Sequence, residues 1–131
     1  MKIDIVWFKK DFRLEDHAPI NAVAKSNNDF LGVFVIEPSR LNEEDVDPIH
    51  IDWEIKCAAE LQSRIRKIGG EMLILHDELI NAFEKLKAKY EISNVYSHEE
   101  IGTEWSYQRD IEFGKWCKTN NLNWKEFPTN A

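Results

Sequence analysis

The chain has 131 residues, 43% of them hydrophobic, which is one domain's worth and enough to bury roughly two-thirds of the surface its unfolded form exposes. A formal net charge of -7 at pH 7 argues against this piece gripping a nucleic-acid backbone by itself, because neutralising phosphates takes a basic face. The two cysteines make no disulfide framework, the N-terminus lacks a signal peptide's apolar core, and no run approaches the ~20 residues of a membrane helix, so a soluble cytoplasmic protein is expected.

The chain opens on Lys2-Ile3-Asp4-Ile5-Val6-Trp7-Phe8, a compact apolar run that reads as a buried central strand. A charged turn, Lys9-Lys10-Asp11-Phe12-Arg13, leads to Asp16, which can cap a helix that tolerates Pro19 in its first turn and puts Ile20, Val23 and Ala24 on one face. Asn27-Asn28-Asp29 breaks that helix, and Phe30-Leu31-Gly32-Val33-Phe34-Val35-Ile36 is a second strand covered on both faces. Residues 39–48, with Glu43-Glu44-Asp45 and Asp47, read as a solvated acidic loop.

From His50, Trp53, Cys57, Leu61, Ile65 and Ile68 recur at helical steps, and Gly69-Gly70 supplies the stop. Met72-Leu73-Ile74-Leu75 is the third strand, followed by a helix whose apolar face is Leu79, Phe83, Leu86 and Tyr90. Ile92 to Ser97 is the fourth strand. Gly102-Thr103-Glu104 opens a helix running through Trp116 to Lys118, Asn120-Asn121 ends it, and Leu122 to Phe127 is a fifth strand.

Strand and helix patterns that alternate to a fifth strand predict an α/β, Rossmann-like, three-layer αβα domain with a parallel sheet. In such a sheet a ligand belongs outside the carboxyl ends of the strands, where the strand order reverses. The loop after strand one carries Lys9, Lys10, Asp11 and Arg13, and the loop after strand four carries His98, Glu99, Glu100 and Glu104. These charges either form an ion-pair network or line a polar cleft, and Asp11 with Arg13 can equally brace the loop against a neighbouring domain.

Other constellations are weaker. His17, His50, His76 and His98 are scattered without partners at metal-ligand spacing, so each is expected to be structural or exposed. Trp53 and Trp116, like Cys57 and Cys117, read as core at helical spacing. Gly69-Gly70 is not a phosphate-binding glycine fingerprint, and no Walker-type lysine loop exists. A phosphoacceptor receiver is disfavoured because Lys9-Lys10 stands where that chemistry needs acidic metal ligands.

Trp7-Phe8-Lys9-Lys10-Asp11-Phe12-Arg13-Leu14-Glu15-Asp16-His17 resembles the opening signature of the cryptochrome and DNA photolyase family, with Lys9 in place of the usual arginine and Phe12 in place of leucine. A second block, Tyr96 to Asp110, is similar to bacterial members. The resemblance spans the chain but only the N-terminal domain of the family, and it implies a five-stranded parallel sheet of order 3-2-1-4-5. It also implies that a linker and a helical FAD domain are missing here, so the chain is expected to be an excised or truncated piece that is not itself catalytic. The parent would be a light-dependent DNA photolyase, a carbon-carbon lyase, or a blue-light receptor, touching DNA only through the absent domain.

In that family the α/β domain houses or borders an antenna pigment, either a reduced folate, a deazaflavin or a second flavin such as FMN. The resemblance thus makes Phe8, Lys9, Asp11, Arg13, Glu99, Glu100 and Glu104 the candidate cofactor-binding residues. Phe8 and Trp105 would give flat walls, Lys9 or Arg13 would meet an anionic tail, and Glu99, Glu100 or Glu104 would accept ring N–H bonds. The alternative is a stand-alone Rossmann-like module that binds a nucleotide or a partner without catalysis.

Overall fold

The computed structural model describes residues 2–15, 17–25, 28–43, 47–100 and 102–128. Five strands, β1 (Lys2–Phe8), β2 (Asp29–Ile36), β3 (Glu71–His76), β4 (Glu91–His98) and β5 (Asn123–Phe127), form one parallel sheet in the order β3-β2-β1-β4-β5. Helices α1 (Ala18–Ala24), α2 (Pro38–Leu41), α3 (Pro48–Lys67), α4 (Leu79–Lys89) and α5 (Glu104–Thr119) make the connections.

The two-residue period of β1 sorts the core into two layers. Ile3, Ile5 and Trp7 pack with Phe83 and Leu86 of α4 and with Phe113 and Cys117 of α5. Val6 and Phe8 face the other way, onto Val23 of α1 and Ala58, Leu61 and Ile65 of α3. Gly32 belongs to this second layer, where a Cβ would stand 3.1 Å from the Phe8 ring, so the missing side chain is what lets Phe8 lie flat on β2. Gly69 takes a φ of 89° just after α3, the conformation for which glycine is the usual helix stop.

Helix α3 departs from the expected pattern. It starts at Pro48 with Asp47 as its N-cap, the Asp47 carboxylate accepting the Ile49 N–H at 2.9 Å. Its buried face is Glu54, Ala58, Leu61 and Ile65. Leu61 and Ile65 lie on the predicted stripe, whose far end, Ile68, is exposed, but in the first turns the face is one residue round, so Trp53 is 63% exposed rather than core. The cause is electrostatic: the Glu54 carboxylate is buried because it takes a bidentate pair of hydrogen bonds from Arg40, each 2.7 Å.

Arg40 sits on α2, a single turn beginning at Pro38 where the sequence predicted only loop. The Glu44-Asp45 part of that loop and the predicted Asp16 cap lie outside the described residues, and His17 is the residue that caps α1. Trp116 packs against the first core layer as expected and donates its Nε1–H to Glu84 at 2.5 Å. Cys117 is buried, which pushes its thiol up to about 12, and Cys57 is half-buried. Among the described residues no helix is long and apolar enough to cross a membrane.

Candidate functional site

Strands β1 and β4 are neighbours although the chain leaves the sheet edge between them, so the strand order reverses at their carboxyl ends. There Asp11 ties three segments together. Its Oδ1 accepts the Lys9 N–H at 2.8 Å, and its Oδ2 lies 2.5 Å from His17 Nε2 and 2.7 Å from His98 Nδ1. Burial alone would raise the Asp11 carboxyl, but the hydrogen bonds from His17, His98 and the Lys9 N–H outweigh it and hold the group well below the usual range. Two of the four histidines are therefore partners of a carboxylate, a pairing that the sequence spacing did not show.

Asp11 Oδ2, His17 Nε2 and His98 Nδ1 lie within 4.8 Å of one another and are a donor set of the kind that binds divalent metals. The cap on α1 decides against that use. His17 Nδ1 accepts the Ile20 N–H at 3.2 Å, which places the ring proton on Nε2, facing Asp11. The trio is a proton-bridged clamp.

A second network lies beside it. Arg109, on α5, donates to Glu37 at 3.0 Å, Glu100 at 2.7 Å and Asp110 at 3.0 Å, and Lys9 Nζ donates to Asp110 at 3.2 Å. Burial would lower the Arg109 guanidinium, but Glu37, Glu100 and Asp110 more than offset this and keep it charged. Glu37 behaves in the opposite way: burial outweighs Arg109 and, with Glu78 and Glu100 nearby, raises it to about 7. For Glu100, burial is outweighed by Arg109, Lys10 and Lys9, so it stays below its ordinary value. The guanidinium also lies 5.0 Å from the Trp7 ring and 5.2 Å from the Trp105 ring, and Lys9 Nζ lies 4.4 Å from Trp7.

Two adjoining cavities open at this edge, sharing Lys10 and Glu100. The first, about 240 Å³, is lined by Lys9, Lys10, Asp11, Arg13, His98, Glu99 and Glu100. The second, about 310 Å³, is walled by Trp53 and Trp105, with Arg40, His50, Glu54 and Ser106 among its polar groups. Five of the seven sequence candidates, Lys9, Asp11, Arg13, Glu99 and Glu100, are thus brought to one cavity.

The other two stand apart. Phe8 is fully buried against His17, and Glu104 is exposed in the first turn of α5, bonded to Gln108. Lys9 lines the first cavity with its ammonium turned inward onto Trp7 and Asp110. Sequence reasoning missed Trp53, Arg40, His50 and Arg109. The signal that could have found Trp53 was the Arg40 and Glu54 pair, which turns α3.

The family model described as DNA photolyase matches residues 4–131. A deoxyribodipyrimidine photo-lyase of Alkalihalophilus pseudofirmus is 29% identical over 100 residues, covering 72% of this chain and 20% of the relative. A cryptochrome DASH of Gloeobacter violaceus is 22% identical over 108 residues, covering 79% of this chain and 22% of the relative. The chain therefore spans about a fifth of the length of the curated relatives it matches.

Among solved structures, a Synechocystis cryptochrome superposes with a TM-score of 0.88 at 18% identity, over 97% of this chain and 27% of that one. An archaeal photolyase of Sulfolobus tokodaii, described with two FAD molecules and as implying a novel light-harvesting cofactor, gives 0.82 at 24% identity, over 96% of this chain and 29% of that one. With the sheet order, the two cavities and a family match from residue 4 to residue 131, this chain belongs to the DNA photolyase family.

Proposed function

We propose that this chain is the antenna domain of a photolyase or cryptochrome: its paired cavities hold a light-absorbing pigment whose excitation passes to FAD in a helical domain outside this chain. DNA contact belongs to that domain, in keeping with the chain's net charge of -7. The observation that carries the reading is the wall of the second cavity, where Trp53, 63% exposed on α3, stands with Trp105 beside a polar notch.

A tricyclic or bicyclic pigment needs an apolar slot with a few placed polar groups, in a space of roughly 300–1,000 Å³. Cavities of about 310 and 240 Å³ sharing one rim meet that need. Trp53 and Trp105 would stack on the ring, Lys10 and His50 would supply donors, and Glu100 would supply an acceptor. Arg109 fixes Trp105 from behind, its guanidinium being held by Glu37, Glu100 and Asp110. When bound, the pigment supplies absorption and excitation transfer, and the chain positions it and keeps water off its faces.

The second FAD of the archaeal photolyase lends support by analogy, since a flavin, a deazaflavin and a reduced folate share a planar heteroaromatic ring. The test is to titrate the purified chain with FMN, a deazaflavin and a reduced folate and follow each absorption band. At least one band should shift, and the shift should weaken in Trp53→Ala and Glu100→Ala. If none of the three moves, the reading is wrong.

A further inference from the structure

We infer that Nε2 of His98 is the hydrogen-bond acceptor that reads the imide N–H of the ligand, so that the neutral pyrimidine edge of the pigment enters the Asp11 cavity. The inference rests on the pigment reading above and says which end of the molecule goes where.

The argument follows the protons. His17 takes the Ile20 N–H on Nδ1, so its own proton is on Nε2 and points at Asp11. Asp11 is ionised and accepts only, so the second ring at the same oxygen must also donate: His98 carries its proton on Nδ1. That leaves a lone pair on His98 Nε2. His98 lines the first cavity, and among the described residues the hydrogen bond of its ring is the one to Asp11. A clamp of one carboxylate and two imidazoles has thus fixed the tautomer of a cavity wall.

The surroundings select the class of ligand. An acceptor calls for an N–H or O–H donor, and the Lys10 ammonium in the same cavity calls for a carbonyl beside it. Asp11, Glu99 and Glu100 balance Lys9, Lys10 and Arg13 in that wall, and the Lys9 ammonium is turned away onto Asp110, so the cavity has no surplus of cations for a phosphate or carboxylate and a neutral edge fits it better. A cyclic imide, an N–H between two carbonyls, satisfies all three conditions. Flavins and deazaflavins carry one, and reduced folates do not.

The test uses lumiflavin, which has the imide but no tail, against N3-methyl-lumiflavin, with the full chain. Lumiflavin should bind at least about tenfold more tightly, because the methyl group removes the donor and leaves a buried acceptor unpaired. His98→Phe should abolish that preference. Equal binding of the two ligands overturns the inference and leaves the pigment reading standing, as does binding of a reduced folate with no binding of lumiflavin. No binding of any of the three, with FMN and the deazaflavin inert as well, defeats both. A long-range ¹⁵N–¹H spectrum of the unliganded chain gives an independent readout: the His98 proton is expected on Nδ1, and finding it on Nε2 overturns the inference whatever the ligands do.

Discussion

Asp11 and His98, 87 residues apart in the chain, are joined by a 2.7 Å hydrogen bond across the point where the strand order reverses. The bond fastens the loop after β1 to the end of β4, and the same carboxylate holds the cap of α1 through His17. Each partner is largely buried, so neither can exchange the other for water without cost.

Asp11→Ala should therefore destabilise the chain by about 3 kcal/mol, the usual cost of removing one member of a buried charged hydrogen-bond group. In a double-mutant cycle by urea denaturation, Asp11→Ala and His98→Phe should show a coupling of about 1–2 kcal/mol. Additive effects would mean that the clamp is incidental.

Glu37 makes a prediction about pH. Its folded value, about 7, lies above the ordinary 4.5 that the unfolded chain shows, so the folded state holds a proton the unfolded state releases. The stability this contributes is complete below about pH 4.5 and is lost as pH rises through 7. Since the side chain is buried, the loss is on the order of 2–3 kcal/mol. Glu37→Gln, which cannot ionise, should gain on the parent by that amount between pH 4.5 and pH 8 in denaturant titrations. A constant difference across that range would count against the assignment. Asp11 has the opposite sign, contributing above its ordinary value and losing that contribution in acid, so the mutant comparison is needed to separate the two.

Much of the fold was legible because its strands are continuous apolar runs: β1, β2 and β3 read directly from Ile3 to Phe8, Phe30 to Ile36 and Met72 to Leu75. The order of the strands came with the family signature, not with the runs. The meeting of Lys9, Asp11, Arg13, Glu99 and Glu100 followed from β1 and β4 being neighbours. What stayed hidden depended on pairs distant in sequence. A buried Glu54 cannot be guessed without Arg40, and with Glu54 buried Trp53 must turn outward. His17 and His98 look isolated until Asp11 stands between them, and Phe8 looks like a site wall until the alternation of β1 sends it to the α3 side.

Trp53 and Phe113 should separate binding from folding. Trp53→Ala removes a mostly exposed ring and should change stability by less than about 0.5 kcal/mol while weakening pigment binding about tenfold or more. Phe113→Ala opens a cavity beside Trp7, Phe83 and Trp124 and should cost about 3–5 kcal/mol. Thermal denaturation with a parallel pigment titration checks both, and a large loss of stability in Trp53→Ala would return that residue to the core.

The outer edge of β3 carries the last prediction. Strand β3 pairs with β2 on one side only, and its Met72-Leu73-Ile74-Leu75 centre has no lysine or proline to deter another strand from adding to it. Two side chains occupy its backbone instead: the Met72 N–H is bonded by Glu71 Oε1 at 2.8 Å, and the Met72 carbonyl accepts from Gln62 Nε2 at 2.7 Å. Arg66 holds Glu71 in place at 2.7 Å. With Met72 already paired, an incoming strand must break two hydrogen bonds to extend its ladder through Met72, which disfavours association. The double change Gln62→Ala with Glu71→Ala should shift sedimentation towards larger species at concentrations where the parent does not associate, and Ile74→Lys added to it should restore the parent's behaviour. If the double variant sediments like the parent, those side chains are not what protects the edge.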